Sequence, residues 1–143
     1  MSKKVYERSC NYRKRFFDKK KGILGTNKYH CAYCGKILSK RNVQVDHLIP
    51  INKVQGPGIG RLTMRLMGIK DINSPKNLVA SCEKCNKKKS DNMSGWIWSG
   101  LFGRHFVFWI IVWLFKVFII VAAIYIILCF ADHKYMAYIL DRI

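Results

Sequence analysis

The apolar and polar positions of the chain fall into three regimes. Up to Lys21, basic side chains interleave with Tyr6, Tyr12, Phe16 and Phe17, which predicts a helix from about Lys3 to Lys21, ended by Gly22 and Gly25. From Thr26 to Asp91 the apolar runs are short and punctuated by turn residues. Ile37-Leu38 begins a short strand, and Val43-Gln44-Val45 alternates as another, which Asp46-His47 leaves and Pro50 stops. Gln55 to Gly60 is a glycine-rich loop, Leu62 to Ile69 has helical spacing, and Asn73-Ser-Pro-Lys is turn chemistry. Leu78 to Ser81 leads into a cysteine pair, and Asn86 to Lys89 opens a helix. From Phe106 to Phe130 the punctuation stops, and Lys116 is the lone charge.

That last run would be about 37 Å long as a helix, against a hydrocarbon core of about 30 Å. The part of the chain that precedes it is too small to wrap a helix that is apolar all round. The pattern therefore predicts one transmembrane helix over 106–131, with lipid as its partner. Trp96, Trp98, Trp109 and Trp113 cluster near its start, as aromatics do at a membrane interface. Lys116 falls about 15 Å into the span, where it either snorkels to the cytoplasmic side or meets a second helix in a homo-oligomer. The resulting organisation is a basic N-terminal helical segment (1–25), a compact domain (26–95), an interfacial linker (96–105), the span (106–131) and a short tail (132–143).

Charge sharpens this division. The chain of 143 residues carries 26 Lys or Arg against 8 Asp or Glu, a formal net charge of +18, yet half of it is hydrophobic. Of these, 23 basic and 6 acidic residues lie at or before Arg104. A uniform soluble globule and a disordered basic tail are both excluded. The asymmetry places the N-terminal domain on the cytoplasmic side, and a basic surface interleaved with aromatics suits either plain solvation or a nucleic-acid backbone.

Six cysteines are present, and four form two C-x2-C pairs, Cys31/Cys34 and Cys82/Cys85. Two such pairs can fill the corners of a tetrahedron around one structural zinc ion. Disulfides are disfavoured because the chain opens Met-Ser-Lys-Lys with no apolar leader, and Cys10 and Cys129 are left over. Between and beside the pairs stand Asp46, His47, Asn77 and Asn86. A neutral imidazole accepts a proton near pH 7, and a carboxylate with an amide oxygen suits Mg²⁺ or a similar ion while leaving room for water and a phosphate oxygen. Metal-assisted phosphodiester hydrolysis is the reaction class this set supports.

The run from Cys31-x2-Cys34 through Val45-Asp-His-Leu-Ile-Pro50 and Asn77-Leu78 to Cys82-x2-Cys85-Asn86-x2-Lys89 resembles the HNH endonucleases. The resemblance covers about Tyr29 to Lys89 and implies an α+β architecture: a small zinc-stapled ββα-metal domain with flanking helices, followed here by the single transmembrane helix. It further implies that His47 is the general base, that Asp46 and Asn86 hold the catalytic divalent ion, and that Asn77 orients the His47 loop. Cys31, Cys34, Cys82 and Cys85 would bind structural Zn²⁺, and DNA would be cut to 5′-phosphate and 3′-hydroxyl ends. Two departures stand out. Asn86 occupies the position of the family's final His, as in HNN variants, and the stretch from Pro50 to Asn77 is longer than in compact members. Asn73 is a rival to Asn77, although the following Leu78 favours Asn77. Asn86 has a plainer reading as a helix N-cap. His30 adjoins Cys31, while His105 and His133 flank the span.

The leading expectation is thus a membrane-anchored HNH endonuclease acting on DNA. A non-catalytic, zinc-stapled nucleic-acid-binding module at the membrane is the alternative, and a membrane-perturbing toxin working through the span is a third.

Overall fold

A computed structural model describes the backbone of residues 5–140 and the side chains up to Ala131. The chain divides near Phe108 into two units, 1–108 and 109–143.

The first unit is a mixed α+β structure with two small sheets. Strands β1 (Lys28–His30) and β2 (Ile37–Ser39) form an antiparallel hairpin, with Tyr29 opposite Leu38. Its loop holds the first cysteine pair. The Cys31 amide donates to the Lys36 carbonyl at 2.8 Å, and Gly35 closes the turn at φ 74°, a left-handed conformation that glycine adopts without a Cβ clash. Strand β3 (Gln44–His47) pairs antiparallel with β4 (Leu78–Ser81), placing Asp46 opposite Val79 and His47 opposite Leu78. The β3 strand therefore runs through Asp46-His47, two residues further than its apolar alternation predicts, because Leu78 and Val79 supply pairing partners. All four residues of β4 are buried. A hydrogen bond of 2.8 Å from the Ala32 amide to the Ala80 carbonyl links the first knuckle to β4.

Helix α3 (Glu83–Lys89) follows β4 directly and is capped by Cys82, whose sulfur accepts from the Cys85 amide. The capping role suggested for Asn86 thus belongs to Cys82, and Asn86 lies inside the helix.

The other helices also differ from expectation. The N-terminal helix α1 spans only Tyr12–Lys19. The segment before it spends its backbone groups elsewhere: Asn73 accepts from the Ser9 amide and donates to the Glu7 carbonyl, and Gln55 brackets Tyr6 in the same way. Helix α2 spans Ile59–Leu66, three residues earlier than predicted. Gly68, at φ 61°, ends it in a Schellman turn, with the Ile69 amide bonded to the Met64 carbonyl and the Gly68 amide to the Arg65 carbonyl.

Residues 96–105, expected as a linker, mostly belong to α4 (Ser94–Gly103). This helix packs on the core through Ile97 and Gly100, and Trp96 meets Tyr33 edge-on at 5.2 Å. Trp96 is therefore part of the domain. The core beneath is formed by Phe16, Leu38, Val43, Leu48, Ile49, Val54, Met64, Ile72 and Leu78, among others. Burying side chains of this size contributes about 1.5–3 kcal/mol each.

Helix α5 (Phe106–Leu140) carries the apolar run and continues into the segment expected as a tail. Over Phe106–Ala131 it is long and apolar enough to cross a membrane, and none of its most apolar stretch is buried within the protein. Residues 141–143 lie outside the described residues.

Candidate functional site

The four knuckle sulfurs converge. The Sγ atoms of Cys31, Cys34, Cys82 and Cys85 all lie within 4.8 Å of one another, and Cys34 and Cys82 are 3.9 Å apart. A disulfide needs about 2.0 Å, whereas a tetrahedron with Zn–S bonds of about 2.3 Å has edges of about 3.8 Å. Burial pushes the Cys31 thiol up to about 11 and raises Cys85 as well, so these sulfurs resist ionising without a cation among them. Burial also opposes ionisation of Cys82, but hydrogen bonds from Cys85 and the other thiols outweigh it and lower its pKa. The clustered thiols support a structural zinc. His30 is not a member, and its Nε2 lies 3.1 Å from the Gly103 carbonyl.

The ends of β3 and α3 meet at a second location. Asp46, His47 and Asn86 line one cleft of about 380 Å³, together with Arg8, Lys89 and Asp91. Asn77 does not line it. That residue is fully buried behind the cleft: its Oδ1 accepts from the Ile49 amide at 2.8 Å, and its Nδ2 donates to the Ile49 and Ile72 carbonyls. With the Leu48 amide donating to the Asn77 carbonyl, both ends of this residue hold the loop that follows His47.

Asp46 is engaged on one side. Its Oδ2 accepts from the Tyr33 hydroxyl at 2.6 Å and pairs with the Lys89 ammonium at 3.0 Å. Lys89 is wholly buried and also donates to the His47 carbonyl at 2.9 Å. A buried cation needs such partners, because desolvation alone costs several kcal/mol. Burial and the Asp46 carboxylate together hold the Tyr33 hydroxyl in its protonated form. The Asn86 side chain makes no hydrogen bond among the described residues, and its amide is half-buried at the cleft.

His47 is 4 % exposed, and its Nε2 lies 3.1 Å from Asn73 Oδ1. The orientation of the Asn73 amide follows from its backbone neighbours. The Ser9 N–H can only donate, so it faces Oδ1, and the Glu7 carbonyl can only accept, so it faces Nδ2. Nε2 of His47 must therefore carry the proton, which leaves Nδ1 as the acceptor. Burial is the main influence lowering the His47 pKa, with Arg8 and Lys89 adding to it, and the Asn73 bond and Asp46 opposing. Tyr12 covers the imidazole at 5.2 Å, and the Arg8 guanidinium lies over Tyr12 at 5.4 Å.

Asn73 and Asn77 thus divide the work for which they were rivals: one holds the ring, the other the loop. Lys89 was visible in the sequence only as the last residue of the knuckle pattern, and Tyr33 only as knuckle filler. No spacing signal marks Arg8.

No family model matches this chain, and no solved structure matches it. It is similar to the CRISPR-associated endonuclease Cas9 of Actinomyces naeslundii, with 36% identity over 61 residues. The match takes in 43% of this chain and 4% of the relative, so the chain spans only a small part of that protein's length.

Proposed function

We propose that this protein is a membrane-anchored endonuclease of the HNH type, hydrolysing DNA phosphodiesters with His47 as general base. One observation carries the reading: His47, Asp46 and Asn86 share a cleft at the end of a strand–strand–helix unit whose knuckles are drawn together by four cysteines. The partial similarity to an endonuclease supports it.

His47 Nδ1 takes a proton from water, the water oxygen attacks phosphorus, and the P–O3′ bond breaks. The leaving 3′ oxygen is protonated from solvent, giving 5′-phosphate and 3′-hydroxyl ends. Nε2, tied to Asn73, keeps the ring in the productive tautomer. Arg8 supplies a cation toward the phosphate. The residues fit a divalent ion such as Mg²⁺: both contacts on Asp46 fall on Oδ2, which leaves Oδ1, and the Asn86 amide has no competing partner among the described residues. Held by these two groups, the ion would supply positive charge at the scissile phosphate and the leaving oxygen.

The test is cleavage of supercoiled plasmid by zinc-loaded full-length protein in detergent with Mg²⁺ or Mn²⁺. His47→Ala should lower the rate by about 10²–10⁴ while plasmid binding is retained. A second reading, a non-catalytic nucleic-acid-binding module, is favoured by the pairing of Asp46 with buried Lys89. Binding without cleavage by wild type and variant alike would establish that reading and sink the first. Anchoring through Phe106–Ala131, with the basic unit cytoplasmic, predicts that the protein resists carbonate extraction from membranes and that a protease added to the cytoplasmic face digests the basic unit.

A further inference from the structure

A second cleft, of about 320 Å³, is distinct from the catalytic one. Its walls are apolar, with Phe16, Ile23, Tyr29 and Phe106 prominent, yet Lys20, Lys21 and Arg104 also line it, and among the described residues no acidic one does. Arg104 donates through Nη1 to the Lys76 carbonyl at 3.3 Å, while its Nε and Nη2 are buried without a hydrogen-bond partner. Buried guanidinium donors without partners cost free energy, which a turn of the Arg104 side chain toward an anion in the cleft would recover. Lys20 is half-buried beside Arg104, and both desolvation and that neighbour lower its pKa, so the two cations oppose each other.

The rim points to the kind of anion. Leu24 is 94% exposed and held at φ 51°, a left-handed conformation that costs a leucine about 1–2 kcal/mol. Phe106 and Val107, which begin the apolar helix, line the same cleft. A cationic site with apolar walls, an apolar residue held outward at its rim, and two lining residues that begin a candidate membrane span matches an anionic amphiphile at the interface. A nucleic-acid backbone would use the cations but not the apolar walls.

We infer that this cleft binds the phosphate of an acidic phospholipid, with Arg104 and Lys20 on the headgroup and Phe16, Ile23 and Phe106 against the first carbons of its chains. The inference rests on the membrane-anchored reading of Phe106–Ala131. The site would hold the basic unit at the bilayer surface.

The experiment follows thermal unfolding of the zinc-loaded full-length protein in detergent micelles titrated with phosphatidylglycerol, phosphatidylcholine or soluble glycerol 3-phosphate. Phosphatidylglycerol should raise the unfolding midpoint at concentrations at least about tenfold lower than phosphatidylcholine. The double variant Lys20→Gln/Arg104→Gln should lose that preference while keeping its zinc and its lipid-free midpoint, since two unpartnered nitrogens are removed. Leu24→Asp, at a position too exposed to disturb folding, should also weaken the preference by placing a carboxylate at the rim. Retention of the preference in both variants would overturn the proposal. An equal response to glycerol 3-phosphate would replace lipid with a free phosphate ester, and displacement of the lipid by a short DNA duplex would reassign the cleft to nucleic acid. Release of the chain by carbonate would end the anchored reading without altering this titration, so the two failures are distinguishable.

Discussion

At the scale of single residues, the cleft is governed by hydrogen bonds whose direction is forced. Asn73 cannot turn its amide without facing Nδ2 to the Ser9 N–H and Oδ1 to the Glu7 carbonyl, so it holds His47 in one tautomer. In the proposed mechanism the acidic limb of cleavage should lie below the ordinary histidine value of about 6.5, because burial lowers the His47 pKa. Activity should rise with pH through that limb, as the base loses its proton. Asn73→Asp places a carboxylate against Nε2 and should move the limb upward, and single-turnover rates across pH would show this; an unmoved limb would detach Asn73 from the base. The same shift bears on stability: the folded protein holds this proton less tightly than the unfolded chain, so its contribution is lost as pH falls below about 6.5. Asn77→Ala strands the Ile49 amide and two carbonyls in the core and should cost on the order of 3 kcal/mol or more by denaturant titration. Asn77 and His47 were legible from their neighbours in sequence. The task of Asn73 was not, because it depends on an N-terminal arm 64–66 residues away.

At the scale of elements, β3 and α3 were legible in part because their patterns are local, alternation and a knuckle feeding a helix; Leu78–Ser81 reads only as the lead into the second knuckle, and pairing with Gln44–His47 makes it a strand. The N-terminal helix was overestimated because basic and aromatic residues suit a helix up to the point where a distant side chain binds the backbone. The C-terminus of α2 had its signal in Gly68, and the apolar spacing beyond it was misleading. Helix α4 was read as a linker because glycines and tryptophans mark both loops and interfaces. Gly100 shows what they do here. A Cβ at this position would come 2.3 Å from Leu48 Cδ1 and 3.0 Å from Tyr33 Cε1. Gly100→Ala should therefore destabilise the domain by about 1–3 kcal/mol despite its better helix propensity, as read from the unfolding midpoint. A neutral or stabilising result would mean that α4 does not pack closely on Leu48.

At the scale of the whole molecule, the small basic unit has one candidate staple. The cysteine cluster joins the β1–β2 loop to the start of α3, so removing zinc should release both together. A chelator should abolish the near-ultraviolet signal of the first unit and leave helical signal from α5, because structural zinc contributes roughly 10 kcal/mol or more to such domains. Survival of the tertiary signal after complete zinc loss would show that the core suffices alone. The sequence by itself determined the two knuckles, the Asp46-His47 pair, the basic character of the first unit and the apolar helix. Each of these is written in residue type and short spacing, which survive any path the chain takes. Only the tertiary structure decided that Lys89 neutralises Asp46, that Asn73 holds His47, and that Arg8 enters one cleft while Arg104 lines another. The two pairings join residues 43 and 26 positions apart, and the placing of the arginines depends on the paths of distant segments. Local pattern carries neither kind of information, because loop paths and packing set them only once the chain has closed.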